Sequence, residues 1–174
     1  MSSLAFQVGD KVVYPNHGVG IIEQISNRSN GIKTESFYLL KISASSLRVM
    51  VPFHSAISVG LRKVVRNAEI QKILDYLTIG DCENHGDWKE RFKENSERMR
   101  TGSLLDVAAV LKSLLLLNQT KPLSFREKKM LERARFLLVN ELAMAKNAKE
   151  GEIEHLLSRA LAKCNLRFPE TLDA

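Results

Sequence analysis

Two groups of side chains have types and spacing that could do chemistry. Cys82 and His85 stand three residues apart, as one half of a zinc site would. A structural zinc needs four nitrogen or sulfur ligands in a tetrahedron. The second half is missing, because Cys164, His17, His54 and His155 are scattered along the chain. A plain loop is therefore the stronger reading, and no metal is expected. The other group is "GDWKERFKENSERMR", residues 86–100, where the only tryptophan, Trp88, stands among Lys89, Arg91, Lys93, Arg98 and Arg100. An aromatic flanked by cations can stack on bases or wedge between base steps in a minor groove while the cations hold phosphates.

Catalytic chemistry is absent from the pattern. No histidine pairs with a serine, cysteine or carboxylate in a spacing that would make a nucleophile or a general base. "HGVG" at 17–20 lacks the Lys-Ser/Thr ending of a phosphate loop and lies between strands. An enzyme is not expected, and neither catalytic residues nor a cofactor are assigned.

Trp88 supports two readings. On a helix it shares a face with Arg91, Phe92, Asn95 and Met99, at spacings of three and four. Phe92 and Met99 look like core, so the residues alone favour a tryptophan packed beside them. Its place in the first turn, after Asp87, permits the opposite: a side chain that projects past the helix end. Asp87 with Glu90 three residues on reads as an acidic capping box.

Composition narrows the class. The chain has 174 residues, a formal net charge of +6 and a pI near 9.4, which favours a polyanionic partner. Its two cysteines give no disulfide framework. The start "MSSLAFQVGD" has no basic region followed by an apolar run, and "SLLDVAAVLKSLLLL" is interrupted by Asp106 and Lys112. A soluble, cytoplasmic protein without a membrane partner is expected.

The elements that would position these residues have two periodicities. Residues 6–66 read as short strands: "DKVVYP", "VGIIEQIS", "TESFYLLKIS", "SLRVMVP" and "SVGLRKVV", separated by Gly, Asn and Pro signals. Asn30-Gly31 marks a hairpin, and the glycines of "NHGVG" a turn that tolerates positive φ. In "SLRVMVP" alternation sends Leu47, Val49 and Val51 to one side, and Arg48 and Met50 to the other. If the first set is core, Met50 is exposed beside Arg48, either as a stray surface methionine or as a protein contact. Without further information the stray residue is favoured.

After Asn67 the period is helical. Ile70, Ile73, Leu74 and Leu77 share a face, with Gly80 as the C-terminal cap. Ser103 and Asp106 open a helix apolar on several faces, which suits a central position. Ser124 and Glu127 form a capping box ahead of the stripe Met130, Leu131, Ala134, Leu137, Leu138 and Leu142. A last helix covers "EIEHLLSRALAKC". The fold class is α+β: a small β domain of about five strands over 1–66, then a compact domain of about five helices over 67–174.

Read together, "FQVGDKVVYPNHGVGIIEQI", "SFYLLKI", "LRVMVP", "DWKERFKENSERMRTGS" and "LSFREKKMLERARFLLVNELAMAK" resemble the CarD/CdnL family of bacterial transcription regulators. The resemblance runs from about residue 6 to 163. It implies a Tudor-like N-terminal domain that binds the β subunit of RNA polymerase, in this chain through Arg28, Leu40, Arg48, Met50 and Pro52. The same N-terminal element occurs as a polymerase-binding module in the transcription-repair coupling factor. The helical domain would contact promoter DNA at the upstream edge of the melted region, where Trp88 wedges into the minor groove. Arg91 and Lys93 would hold the backbone, with weak and non-sequence-specific affinity, and the open complex would be stabilised. Glu90 stands where some members carry a third basic residue, and Met50 where others carry arginine. A monomer, held at the nucleoid through polymerase, is expected. The rival reading is an adaptor on polymerase without functional DNA contact.

Overall fold

The computed structural model describes residues 5–15, 17–79 and 87–169. Two compact units result, Met1–Val64 and Val65–Ala174. The division falls two residues before the expected one, for a reason visible in the backbone. The Val64 N–H donates to the Lys11 carbonyl of the sheet, 3.2 Å away, whereas the Val65 N–H donates to the Glu141 carboxylate among the helices, 2.9 Å away. The partly buried Val65 side chain packs on the helical core.

The first unit is a five-stranded antiparallel sheet in the order β4-β3-β2-β1-β5. Its strands are β1 (Lys11–Tyr14), β2 (Gly18–Ser29), β3 (Thr34–Ile42), β4 (Arg48–Pro52) and β5 (Arg62–Lys63). β1 to β4 form a meander; a single 3₁₀ turn, Phe53–Ser55, then leads the chain back to the far edge. β2 and β3 run further toward the hairpin than the polar residues 27–29 suggest, because the ladder continues to Ser29↔Thr34. Conversely β5 shrinks to two residues, since Gly60 at φ +81° ends a turn just before it.

The two glycines of "NHGVG" work differently. Gly18 adopts φ +97°, where an L side chain is strained. Gly20 does not, but a Cβ there would lie 2.8 Å from the Lys41 carbonyl oxygen on β3. It is a close-approach glycine, set just before the register shift between Ile22 and Gln24. The core of this unit gathers Phe6, Val12, Ile22, Tyr38, Leu40, Val51, Ala56 and Leu61.

The second unit holds α1 (Asn67–Thr78), α2 (Trp88–Arg100), α3 (Leu104–Thr120), α4 (Phe125–Lys146) and α5 (Glu150–Ala162). Ser124 and Glu127 close the capping box of α4 reciprocally, at 3.2 Å in each direction. Ser103 Oγ accepts from the Asp106 N–H at the start of α3. The box expected at Asp87 is not made: Asp87 is the N-cap residue of α2 by position, but its side chain accepts no capping bond. α3 is the central helix, buried from Leu104 through Leu117 on several faces and packed by α1, α2 and α4. Gly80, the expected cap of α1, lies outside the described residues; Ile79 holds the cap position and its N–H donates to the Asp75 carbonyl.

Candidate functional site

On the sheet, antiparallel registry decides which side chains can meet a partner. β3 and β4 align Phe37 with Pro52, Leu39 with Met50 and Lys41 with Arg48. The intervening pairs, Tyr38 with Val51 and Leu40 with Val49, carry the buried side chains. Since successive residues of a strand point to opposite faces, the outer face carries Phe37, Leu39, Lys41, Arg48, Met50 and Pro52. β4 is also the sheet's edge. Met50 is 38% exposed there, and Phe37, Leu39 and Pro52 are half-buried around it.

Four of the five expected polymerase contacts, Arg28, Arg48, Met50 and Pro52, therefore keep some surface. The fifth is corrected. Leu40 is fully buried in the core of the sheet unit, at 0% exposure, and its side chain presents no surface to a partner. The parity of the ladder puts its neighbour Leu39 on the outer face instead. That exchange was available in the sequence, because the same alternation that exposes Met50 buries Leu40 once β3 and β4 are paired.

Charge frames this patch. Lys41 and Arg48 lie directly opposite each other, an unfavourable like-charge pair on adjacent strands. Glu23, at the β2 irregularity, offsets it by accepting from Arg48 Nε at 3.1 Å. At the other end of the β2–β3 hairpin, the exposed Arg28 faces Glu35 across the ladder. Beyond Pro52, the Phe53 ring stacks on Tyr38 at 4.1 Å and 16°. Tyr38 in turn meets Phe6 edge-on at 5.5 Å, so the end of β4 rests on core aromatics.

In the helical unit, Trp88 is the first residue of α2 and is 50% exposed. The Lys89 ammonium lies 5.8 Å from its ring centroid. Lys93 is exposed one turn on, and so is Glu90. The stripe read from the sequence divides along the helix: Asn95 and Met99 are buried, Phe92 is half-buried, and Trp88 emerges. Apolar packing thus anchors the second half of α2 while its first turn carries the exposed aromatic.

Arg91 is half-buried, and its Nε and Nη2 atoms are out of solvent. It therefore presents less of its guanidinium to a phosphate than the exposed Lys93 would of its ammonium. Further along, Arg100 is engaged by Glu97 at 2.6 Å. The exposed cations in the first half of α2 are Lys89 and Lys93.

Among the described residues the alternative chemistries find no assembled site. His17 tilts against Tyr14 at 4.9 Å, His54 lies in the 3₁₀ turn and His155 on α5. Among the described residues no three of His, Cys, Asp and Glu cluster as a metal site. Cys82 and His85 lie outside the described residues. No helix among the described residues is long and apolar enough to cross a membrane.

Two buried charged groups had no functional reading in the sequence. Glu141 on α4 is buried and accepts the Val65 N–H. Lys112 on α3 is fully buried, with its ammonium on the carbonyls of Tyr76 and Ile79. Lys112 left a signal: it is the one cation inside a helix otherwise apolar on several faces.

A five-stranded sheet unit followed by a five-helix unit with an exposed entry tryptophan defines a two-unit α+β class of protein. Residues 6–65 match the family model of the CarD-like/TRCF RID domain, and residues 72–158 that of the CarD C-terminal domain. YdeB of Bacillus subtilis (strain 168), named as a candidate transcription factor, is 33% identical over 149 residues, 86% of this chain and 97% of that protein. The chain belongs to the CarD family of transcription factors, and its sheet unit is a polymerase-interacting type of domain.

Proposed function

We propose that this protein is a non-enzymatic transcription regulator acting in the cytoplasm, at the nucleoid, as a monomer. Its sheet unit binds the β subunit of RNA polymerase through the outer face around Met50, Arg48 and Pro52, with Leu39 beside them and Arg28 at the hairpin end. Its helical unit touches promoter DNA at the upstream edge of the melted region, where Trp88 enters the distorted minor groove and Lys93 and Arg91 meet the backbone. The open complex gains lifetime as a result.

The observation that carries this reading is the exposure of Trp88 on the first turn of a helix whose other aromatic and apolar positions are buried or half-buried. An indole needed only for packing would be expected against Phe92 and Met99, as its helical spacing allows. Few free cations surround it, so affinity for DNA alone is weak and falls with salt. Binding to polymerase supplies the effective concentration that makes one aromatic contact count. A wedge gains most where base steps are already unstacked, so its free energy favours the melted promoter.

Capture of polymerase β, combined with open-complex lifetime, tests both halves. The wild-type chain should retain β and lengthen the lifetime, whereas Met50→Asp should lose both effects without unfolding. Retention of β by Met50→Asp would remove the outer face from the reading. One observation favours a pure adaptor, the withdrawal of Arg91 Nε and Nη2 from solvent. In that case Trp88→Ala would leave the lifetime unchanged while polymerase binding persisted.

A further inference from the structure

The pairing of β2 with β3 is regular except at one place. Ile22 pairs with Leu40 and Gln24 with Leu39, so Glu23 is an extra residue on β2, the mark of a β-bulge. A bulge adds a side chain to a strand and re-aims it. Here the added side chain is a carboxylate on the outer face, where it accepts from Arg48 Nε at 3.1 Å. β3 lies between β2 and β4, so the bond reaches over two strand spacings, about 10 Å.

Fold stability does not account for this arrangement. The side chains of Arg48 and Glu23 are 62% and 30% exposed, and ion pairs open to water contribute little to folding. Nor does Glu23 neutralise the face. Lys41, directly opposite Arg48, is exposed and has no acid partner among the described residues. One positive charge is thus left uncompensated on the strands that carry Leu39 and Met50.

What the carboxylate adds is orientation. Arginine is a flexible stem that ends in a rigid planar fork of donors. Among the described residues only the Nε of Arg48 is engaged, which fixes the guanidinium and leaves its terminal nitrogens for a partner. We infer that Glu23 is a positioning residue for Arg48, presetting the guanidinium so that it takes a carboxylate of polymerase β with Lys41 beside it. The carboxylate follows from the positive charge left on this face and from the fit of a planar fork to two oxygens. The inference rests on the outer face being the polymerase surface proposed above.

The test is a double-mutant cycle of Glu23→Gln and Arg48→Met in the full chain, titrated against cognate RNA polymerase across a salt series, with urea melts alongside. Glu23→Gln should weaken binding about two- to tenfold, the ordering cost of one long side chain, without moving the urea midpoint. The sign is decisive, because the substitution makes the face more positive. Charge alone, without positioning, would tighten binding to an acidic partner. In the Arg48→Met background Glu23→Gln should cost nothing further, since the group it presets is gone. Arg48→Met should also flatten the salt dependence of binding.

Unchanged or tighter binding by Glu23→Gln overturns the inference, as does an equal loss in both backgrounds or a urea midpoint that falls in step with affinity. So does a salt dependence that Arg48→Met leaves as it was. Met50→Asp in the same titration separates this failure from that of the surface. If it still abolishes binding, the outer face stands without a role for Glu23; if it binds like the wild type, surface and inference fall together.

Discussion

Replacing Trp88 with alanine separates its two roles by magnitude. A buried tryptophan removes up to about 250 Å² from water, so the half that stays exposed offers about 120 Å² to a partner. At about 25 cal/mol per Å², covering it is worth about 3 kcal/mol gross. Ordering the side chain against DNA costs about 1 kcal/mol of this. The remaining ~2 kcal/mol corresponds to about a thirtyfold shorter open-complex lifetime for Trp88→Ala. Base–aromatic stacking measured by alanine substitution covers the same range, about 1–3 kcal/mol.

The folded state should notice the change much less. Truncating a wholly buried tryptophan costs about 3–5 kcal/mol, and a half-exposed one in a first helical turn about 1–2 kcal/mol. Lifetime is measured by competitor challenge of polymerase–promoter complexes, and stability by urea titration of the isolated chain. A stability loss in the full buried range would show that the indole is core, and the energetic argument would fail. So would an unchanged lifetime with the variant still bound to β.

The same geometry sets the outcome of other substitutions. Leu40→Ala should cost about 2–5 kcal/mol of stability as a cavity in the sheet core, whereas Leu39→Asp should weaken β capture with a small stability change; urea melts and pull-downs tell them apart. Glu90→Lys adds a cation beside the exposed indole, so binding to free duplex DNA should tighten and its log–log salt slope steepen by about one unit, measured by anisotropy across a salt series. Gly20→Ala should destabilise the sheet unit by about 1–3 kcal/mol, since the new methyl meets the backbone of β3 rather than a movable side chain, and thermal melting reads this directly. Glu141→Ala leaves the Val65 N–H without this acceptor and should cost about 1–3 kcal/mol, seen also as faster amide exchange at Val65.

Legibility in the sequence tracked the range of the forces involved. Strands β1 to β4 and all five helices could be read because period-two and period-3.6 patterns are local, as are the caps at Ser103 and Ser124. Residue parity could be read only as far as one strand: "SLRVMVP" gave Met50 outside and Val51 inside, but Leu47 lies just before β4 and is exposed instead of core. Placing Leu40 needed the pairing of two strands, which no single strand encodes. Where a cation stood in an apolar run, the sequence said only that the run was interrupted. Lys112 became intelligible once the carbonyls of Tyr76 and Ile79, thirty-six and thirty-three residues earlier, were brought to its ammonium. Trp88 shows the same boundary from the other side. Its helical spacing to Phe92 and Met99 is local and favoured burial, while its exposure depends on how much of α2 the rest of the helical unit covers. Along α2, Asn95 and Met99 are buried while the first turn is exposed, so the residue that the spacing would bury is the one left available to a partner.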